Sequence, residues 1–361
     1  MSYSNIDKPS KYFDVKLRQG FGSSGGTVTG LSFKPEMFWE KNRTSTTGSG
    51  TYVYDVVRGV YKFIRTNLTD AEATNTNLMT SFNSDGFTLG SSDYATDQSL
   101  VAWCWSAGNS TGVSNTSGTI SSTVSANTTS GFSIVSYTGN NSLNQTVGHG
   151  LGVAPKVIFI KVRNNTADPT GFVVYHASNG ANYSMNLHTT NAKVSNTTSF
   201  SNTSPTSTVF SVGDDGGNWG TNFNTYNFIA YCFAEVKGFS KAFSYTGNGS
   251  TDGTYVHLGF RPAWVMVKAS STGGAGYNWQ VWDNKRNTYN AVNTQLRPNT
   301  TEADNTDSSY AVDFLSNGFK MRGTSTNQNG SGVTYIGFAI AEQPFVSSKG
   351  IVANARWLYL S

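Results

Sequence analysis

The sequence predicts an all-β protein made of three tandem, mutually related antiparallel β-sandwiches of jelly-roll-like form, with little helix. Two observations carry that prediction. Composition is the first: 45 Ser, 44 Thr, 36 Asn and 38 Gly make up nearly half of the 361 residues, a mixture that suits short strands and hydrogen-bonded turns better than helices. The second is a long-period repeat. Gly30 to Lys41 (GLSFKPEMFWEK), Gly150 to Lys161 (GLGVAPKVIFIK) and His257 to Lys268 (HLGFRPAWVMVK) align without gaps at offsets of 120 and 107 residues. That period is too long for a solenoid unit or a propeller blade, so each copy reads as a small domain.

The elements of each copy follow in one order. Phe132 to Gly139 (FSIVSYTG) and Lys241 to Gly247 (KAFSYTG) match as a first strand, with Tyr12 to Gly20 as a weaker relative. Pro35, Pro155 and Pro262 then open an apolar run where no ladder donor is needed, and Lys41, Lys161 and Lys268 are expected to mark its exit into solvent. Asp55 to Arg58 and Asp283 to Arg286 coincide, with Tyr175-His176 in their place in the second copy. Asp85-Gly86 and Asn317-Gly318 signal hairpins, because both residue types tolerate positive φ; the second copy carries Thr208 to Val212 instead. A strand of small and aromatic residues closes each copy at Val101 to Trp105, Ile229 to Phe233 and Ile336 to Ile340. Asp70 to Leu78 and Asn299 to Asp307 are candidates for a helical turn or two.

These matches divide the chain into an N-terminal arm (1–11), a first repeat (12–108), a Ser/Thr/Gly-rich linker (109–130), a second repeat (131–237), a third repeat (238–346) and a C-terminal tail (347–361). The linker is expected to be flexible or a lightly anchored strand. Lys237-Gly238-Phe239 predicts a tight junction between the second and third copies.

Charge argues against several partners. The 25 basic and 21 acidic residues give +4, scattered without a block of like sign that could follow a nucleic-acid backbone. No apolar run approaches the length of a membrane span, and the first residues lack a signal-peptide pattern. Neither nucleic acid nor membrane insertion is expected. Cys104 and Cys232 occupy equivalent positions, matched by Ala339, which reads as a small buried strand residue and not a nucleophile.

The chain carries few marks of catalytic chemistry. His149, His176, His188 and His257 show no metal-type spacing, and no nucleophile elbow, phosphate loop or dinucleotide fingerprint occurs. Asp214-Asp215-Gly216-Gly217-Asn218 lacks the spacing of a calcium loop, so no metal or cofactor is expected. Glu40, Asp55, Asp283 and Glu302 are the carboxylates that a hydrolase would have to draw on, and linear spacing cannot pair them. Aromatics in polar loops are the better recognition candidates: Trp219 with Asn218, and Trp279 and Trp282 with Asp283, could present flat apolar faces to a glycan beside groups that orient hydroxyls. Core packing is the competing reading for all three tryptophans.

Several segments resemble a repeated domain of uncharacterised structural and tail-associated proteins of marine bacteriophages: NIDKPSKYF (5–13), TSFNSDGFTLG (80–90), VGHGLGVAP (147–155), SYTGNGSTDG (244–253), DNKRN (283–287) and DFLSNGFK (313–320). The resemblance implies a non-enzymatic virion component, at the tail or a fibre, assembled in the host cytoplasm as a homo-oligomer with other virion proteins and contacting a host-surface glycan or receptor. A capsid decoration or head-fibre protein, and more remotely a surface-polysaccharide depolymerase, are the alternatives. The ending departs from that pattern, which makes Val346 to Ser361 a candidate particle attachment through Ile351, Trp357, Leu358 and Tyr359.

Overall fold

The computed structural model describes residues 6–44, 50–108, 110–164, 171–214, 217 and 219–342. Repeat 1 contributes β1 (Phe13–Gln19), β2 (Gly26–Val28), β3 (Met37–Asn42), β4 (Thr51–Asp55), β5 (Lys62–Arg65), β6 (Ala73–Thr74), β7 (Met79–Asn83), β8 (Gly86–Leu89) and β9 (Ser99–Trp105). The connecting segment forms β10 (Val113–Asn115) and β11 (Ser122–Asn127). Repeat 2 supplies β12 (Phe132–Thr138), β13 (Gln145–Gly148), β14 (Val157–Val162), β15 (Val173–His176), β16 (Tyr183–Asn186), β17 (Val194–Ser195), β18 (Val209–Val212) and β19 (Asn227–Phe233). Repeat 3 supplies β20 (Ser240–Thr246), β21 (Tyr255–His257), β22 (Pro262–Ala269), β23 (Gln280–Asp283), β24 (Val312–Leu315), β25 (Gly318–Met321), the short helix α1 (Thr326–Asn329) and β26 (Thr334–Ala341).

One topology occurs three times. The larger sheets run β1-β9-β3-β4, β12-β19-β14-β15 and β20-β26-β22-β23, so each begins with its first strand and places its last strand second. The smaller sheets are β2-β8-β7, β13-β18 and β21-β25-β24, all antiparallel. The predicted all-β sandwich fold is therefore present, as are the hairpins at Ser84-Asp85 and Ser316-Asn317.

Each larger sheet is buried on both faces, which explains why its strands read as continuous apolar runs. Phe38, Ala102 and Cys104 face the smaller sheet of repeat 1, whereas Met37, Trp39, Val101, Trp103 and Trp105 face the other way. Those outward faces from all three repeats meet in one central core, where Trp103 and Trp105 pack against Trp264 with ring centroids 6.3 and 5.9 Å apart and Trp105 lies 6.2 Å from Phe132. Three separate sandwich cores surround this shared one. The repeats thus close into a ring about a pseudo-threefold axis.

Several expectations change. Residues 110–130 take the strand form of the two that were expected, not the flexible one: β10 and β11 extend the large sheet of repeat 2, and Ile120 and Val124 are buried. Residues 70–78 and 299–307 contain no helix; the first carries β6 and the second a bridge between Gln295 and Asn305. Gly86 and Gly318 are needed for close approach and not for positive φ. A Cβ on them would lie 1.8 Å from the Val28 carbonyl oxygen and 2.0 Å from that of Val256, in the neighbouring strand.

Candidate functional site

The chemistry-bearing side chains converge on the three junctions between repeats. Lys41, Lys161 and Lys268 do not exit into solvent; all three are fully buried. Each stands near the end of its strand and reaches a loop of a neighbouring repeat. Lys41 Nζ donates to the Thr300 carbonyl at 2.8 Å, Lys161 Nζ to Thr69 at 2.8 Å, and Lys268 Nζ to Thr190 at 3.2 Å and Asn191 at 2.9 Å. Repeat 1 therefore grips repeat 3, repeat 2 grips repeat 1, and repeat 3 grips repeat 2. Two residues beyond each lysine the same loop is bonded again, as Asp304 N–H to Arg43 O, Glu72 N–H to Arg163 O and Lys193 N–H to Ser270 O. Burial pushes the ammonium groups of Lys41 and Lys268 down to about 7, against Glu302 and Asp304 in the case of Lys41.

A second set of contacts follows the same cyclic order. Tyr231 of repeat 2 donates its hydroxyl to Asp55 Oδ2 of repeat 1 at 2.7 Å, and Trp103 of repeat 1 donates its indole N–H to Asp283 Oδ2 of repeat 3 at 3.1 Å. At the third junction the equivalent aromatic is Phe338, which has no donor, and there the aspartate is replaced by His176. Its ring accepts the Ser178 N–H at Nδ1 (3.1 Å), so Nε2 carries the proton and donates to the Gly337 carbonyl at 3.0 Å. Within each repeat, Arg58 balances Asp55 and Arg286 balances Asp283, all four buried. Beside the neutral His176 the corresponding position is Asn179, which has no charge to place. Burial holds the His176 pKa down to about 4.

The candidate recognition residues fare unequally. Trp279 is buried in the central core, with its indole N–H on the Asn186 carbonyl at 3.1 Å, and Trp282 is fully buried in the core of repeat 3, bonded to the Tyr310 carbonyl at 3.0 Å. Neither ring face is offered to a glycan. Asp283 is likewise consumed, accepting from Lys285 N–H, Arg286 N–H, Arg286 Nε and Trp103 Nε1. Trp219 is half-buried in the loop between β18 and β19, anchored through its carbonyl by Ser199 Oγ at 2.6 Å. Asn218 and the tail residues Ile351, Trp357, Leu358 and Tyr359 lie outside the described residues.

The remaining reactive groups are also taken up by the architecture. Cys104 and Cys232 are buried free thiols, and burial raises both pKa values. Glu40 is paired with Arg18 at 2.6 Å and Glu302 with Arg297 at 2.5 Å. A small apolar cavity of about 20 Å³ lies between the repeats, lined by Met37, Trp39, Phe159, Phe233, Trp264 and Phe338; it is the size of one water and offers that water no polar partner. Among the described residues no group of three His, Cys, Asp or Glu is placed to hold a metal ion, and no helix is long and apolar enough to cross a membrane.

Sequence reasoning missed the junction partners Trp103, Tyr231 and Gly337. One signal was available, because the Asp-x-x-Arg pattern of Asp55/Arg58 and Asp283/Arg286 changes to His-x-x-Asn only in the repeat whose aromatic partner is Phe338. A family model, a domain of unknown function, matches residues 8–344 and so spans all three repeats. The chain belongs to the DUF7483 family. The DUF7483 match takes the whole ring as one unit, in keeping with a core to which all three repeats contribute. No curated protein and no solved structure matches the chain.

Proposed function

We propose that this DUF7483 protein is a non-enzymatic structural component of a bacteriophage particle, placed at the tail or a tail fibre, whose polar loops meet the host surface. The observation that carries the reading is how the ring uses its reactive side chains. The buried lysines, Asp55, Asp283 and His176 all bond repeat to repeat, Arg58 and Arg286 balance the two aspartates within their own repeats, and both thiols sit in sandwich cores. A ring locked in this way is a rigid mount for loops. The resemblance of its segments to phage structural proteins supplies the particle. Trp219 is a partly accessible aromatic on a polar loop that suits glycan stacking, with its backbone already fixed by Ser199.

The test has two arms. Antibody labelling of purified particles should place the protein at the tail, and its absence from particles rejects the virion reading. Purified protein should compete with particles for host adsorption, and Trp219→Ala should abolish that competition while leaving the melting temperature unchanged. Full competition by that variant removes Trp219 from the contact surface, and release of reducing sugar from host polysaccharide would turn the reading to a depolymerase.

A further inference from the structure

The open edge of one sheet has a specific claimant. In each larger sheet the first strand lies outermost, and its free side must be covered or left as a row of unpaired backbone groups. The chain covers one of these three edges along its length and the start of a second. On β12, the segment that follows repeat 1 folds back as β11 and pairs with Phe132, Ile134 and Ser136 through Asn127, Ser125 and Thr123. On β20, the segment that follows repeat 2 does the work. Val236 bridges Ser240, and Glu235 Oε1 accepts the Ala242 N–H at 3.1 Å. The residues that leave the preceding repeat of the ring thus close β12 along its length and β20 at its first residues.

For β1 the preceding repeat is repeat 3, whose last strand ends at Ala341. Among the described residues β1 is paired only with β9. Ser106 N–H bonds to Tyr12 O and Gly20 N–H to Gln98 O, which directs the backbone of even-numbered residues towards β9 and that of Phe13, Val15, Leu17 and Gln19 outwards. The Val15 N–H is capped by its neighbour Asp14 at 2.8 Å. Leu17, 42% exposed, is an apolar side chain on this edge. Of the charges near this edge, Lys16 is committed to the Gly30 carbonyl, while Arg18, paired with Glu40 and Asp93, also donates to the Gln19 carbonyl at 3.0 Å and so caps the far end of the edge. A groove of about 110 Å³ begins beside β1, lined by Phe13, Asp14, Val15, Lys285, Ala341 and Glu342. The chain therefore leaves repeat 3 at the start of the open edge.

We propose that residues 343–361 of this chain are the occupant of the outer edge of β1, closing the ring as β11 closes β12. The stretch is long enough for a strand and the turn leading to it, and Ile351-Val352 and Trp357 to Leu360 supply residue types that suit an edge with an exposed leucine. This inference is independent of the virion reading. It assigns the apolar tail residues to the molecule's own surface and not to a particle.

Hydrogen exchange tests it. In a chain ending at Glu342, peptides covering residues 12–20 should exchange at least ten-fold faster than in the full chain, while β22 and β26 exchange at unchanged rates, and a synthetic peptide of residues 343–361 should restore the protection. Equal exchange in both chains overturns the proposal. So does protection that rises with protein concentration, which places a second copy on the edge, or protection lost on removing residues 1–5. Leu17→Pro serves if the shortened chain does not fold, because the Leu17 N–H points away from β9 and its loss spares the existing ladder. Trypsin should then cut at Lys349 and Arg356 at least ten-fold faster than in the unaltered chain; unchanged cutting refutes the assignment.

Discussion

Replacing His176 with Asp tests whether the three junctions are versions of one device. In repeats 1 and 3 an aspartate at this place is balanced by an arginine three residues on and receives a hydrogen bond from Tyr231 or Trp103. In repeat 2 the equivalent positions are Asn179 and Phe338, neither of which carries a cation, Phe338 has no donor, and the site is 3% exposed. His176→Asp alone therefore buries an unbalanced charge, which costs about 3–5 kcal/mol. With an unfolding entropy of about 2.1 cal/mol/K per residue, the whole chain would lose roughly 4–7 °C in Tm. The carboxyl's folded pKa is raised, so this variant retains its stability below about pH 4 and loses it as pH rises. Adding Asn179→Arg and Phe338→Tyr rebuilds the set found at Asp55, Arg58 and Tyr231, and should recover at least half of the lost Tm and remove the added pH slope. Thermal melts between pH 4 and 8, followed by near-ultraviolet circular dichroism, supply the numbers. A single variant within about 1 °C of the parent, or a triple variant no better than the single, would show that the junctions are unrelated.

Further outcomes follow from the same geometry. His176 is held neutral with a pKa of about 4 against an unfolded value of 6.5, so its contribution is fully present above pH 6.5 and is lost as pH falls through 4; stability should drop by about 3 kcal/mol across that window, as denaturant melts at fixed pH values will read. Lys41 and Lys268, depressed to about 7, have the same sign at higher pH, so stability should rise between pH 7 and 10.5, and Lys268→Met should flatten part of that rise. Gly318→Ala, which drives a Cβ against the Val256 carbonyl, should cost about 3 kcal/mol, whereas Gly332→Ala, with φ of 74° and open space around it, should cost only about 1 in the same melts. Cys104 and Cys232 should resist a thiol reagent at pH 8 in the native protein and react at once when it is unfolded.

The repeat was legible because strands buried on both faces require long apolar runs, and such runs align well even when other positions drift. Pro35, Pro155 and Pro262 marked equivalent strand entries, and Cys104, Cys232 and Ala339 proved to be equivalent core positions. A lysine after an apolar run reads as solvent-facing, and in this ring it is not. Local sequence gives Lys41 no reason to be buried; its acceptor, Thr300, is 259 residues away and belongs to another repeat. The same holds for Trp279 and Trp282, whose polar neighbours suggested a loop. Ring closure surrounds Trp279 with the central core, while the sandwich of repeat 3 encloses Trp282. A period in sequence reveals which residues are equivalent, but in a closed ring each equivalent residue bonds to a different repeat. The contacts are therefore set by the order of rotation, which no single copy encodes. His176 is the place where that order left a trace in the sequence, since its departure from aspartate makes sense only once the Gly337 carbonyl, 161 residues later, is its partner across the junction and the equivalent aromatic, Phe338, has no donor to offer a carboxylate.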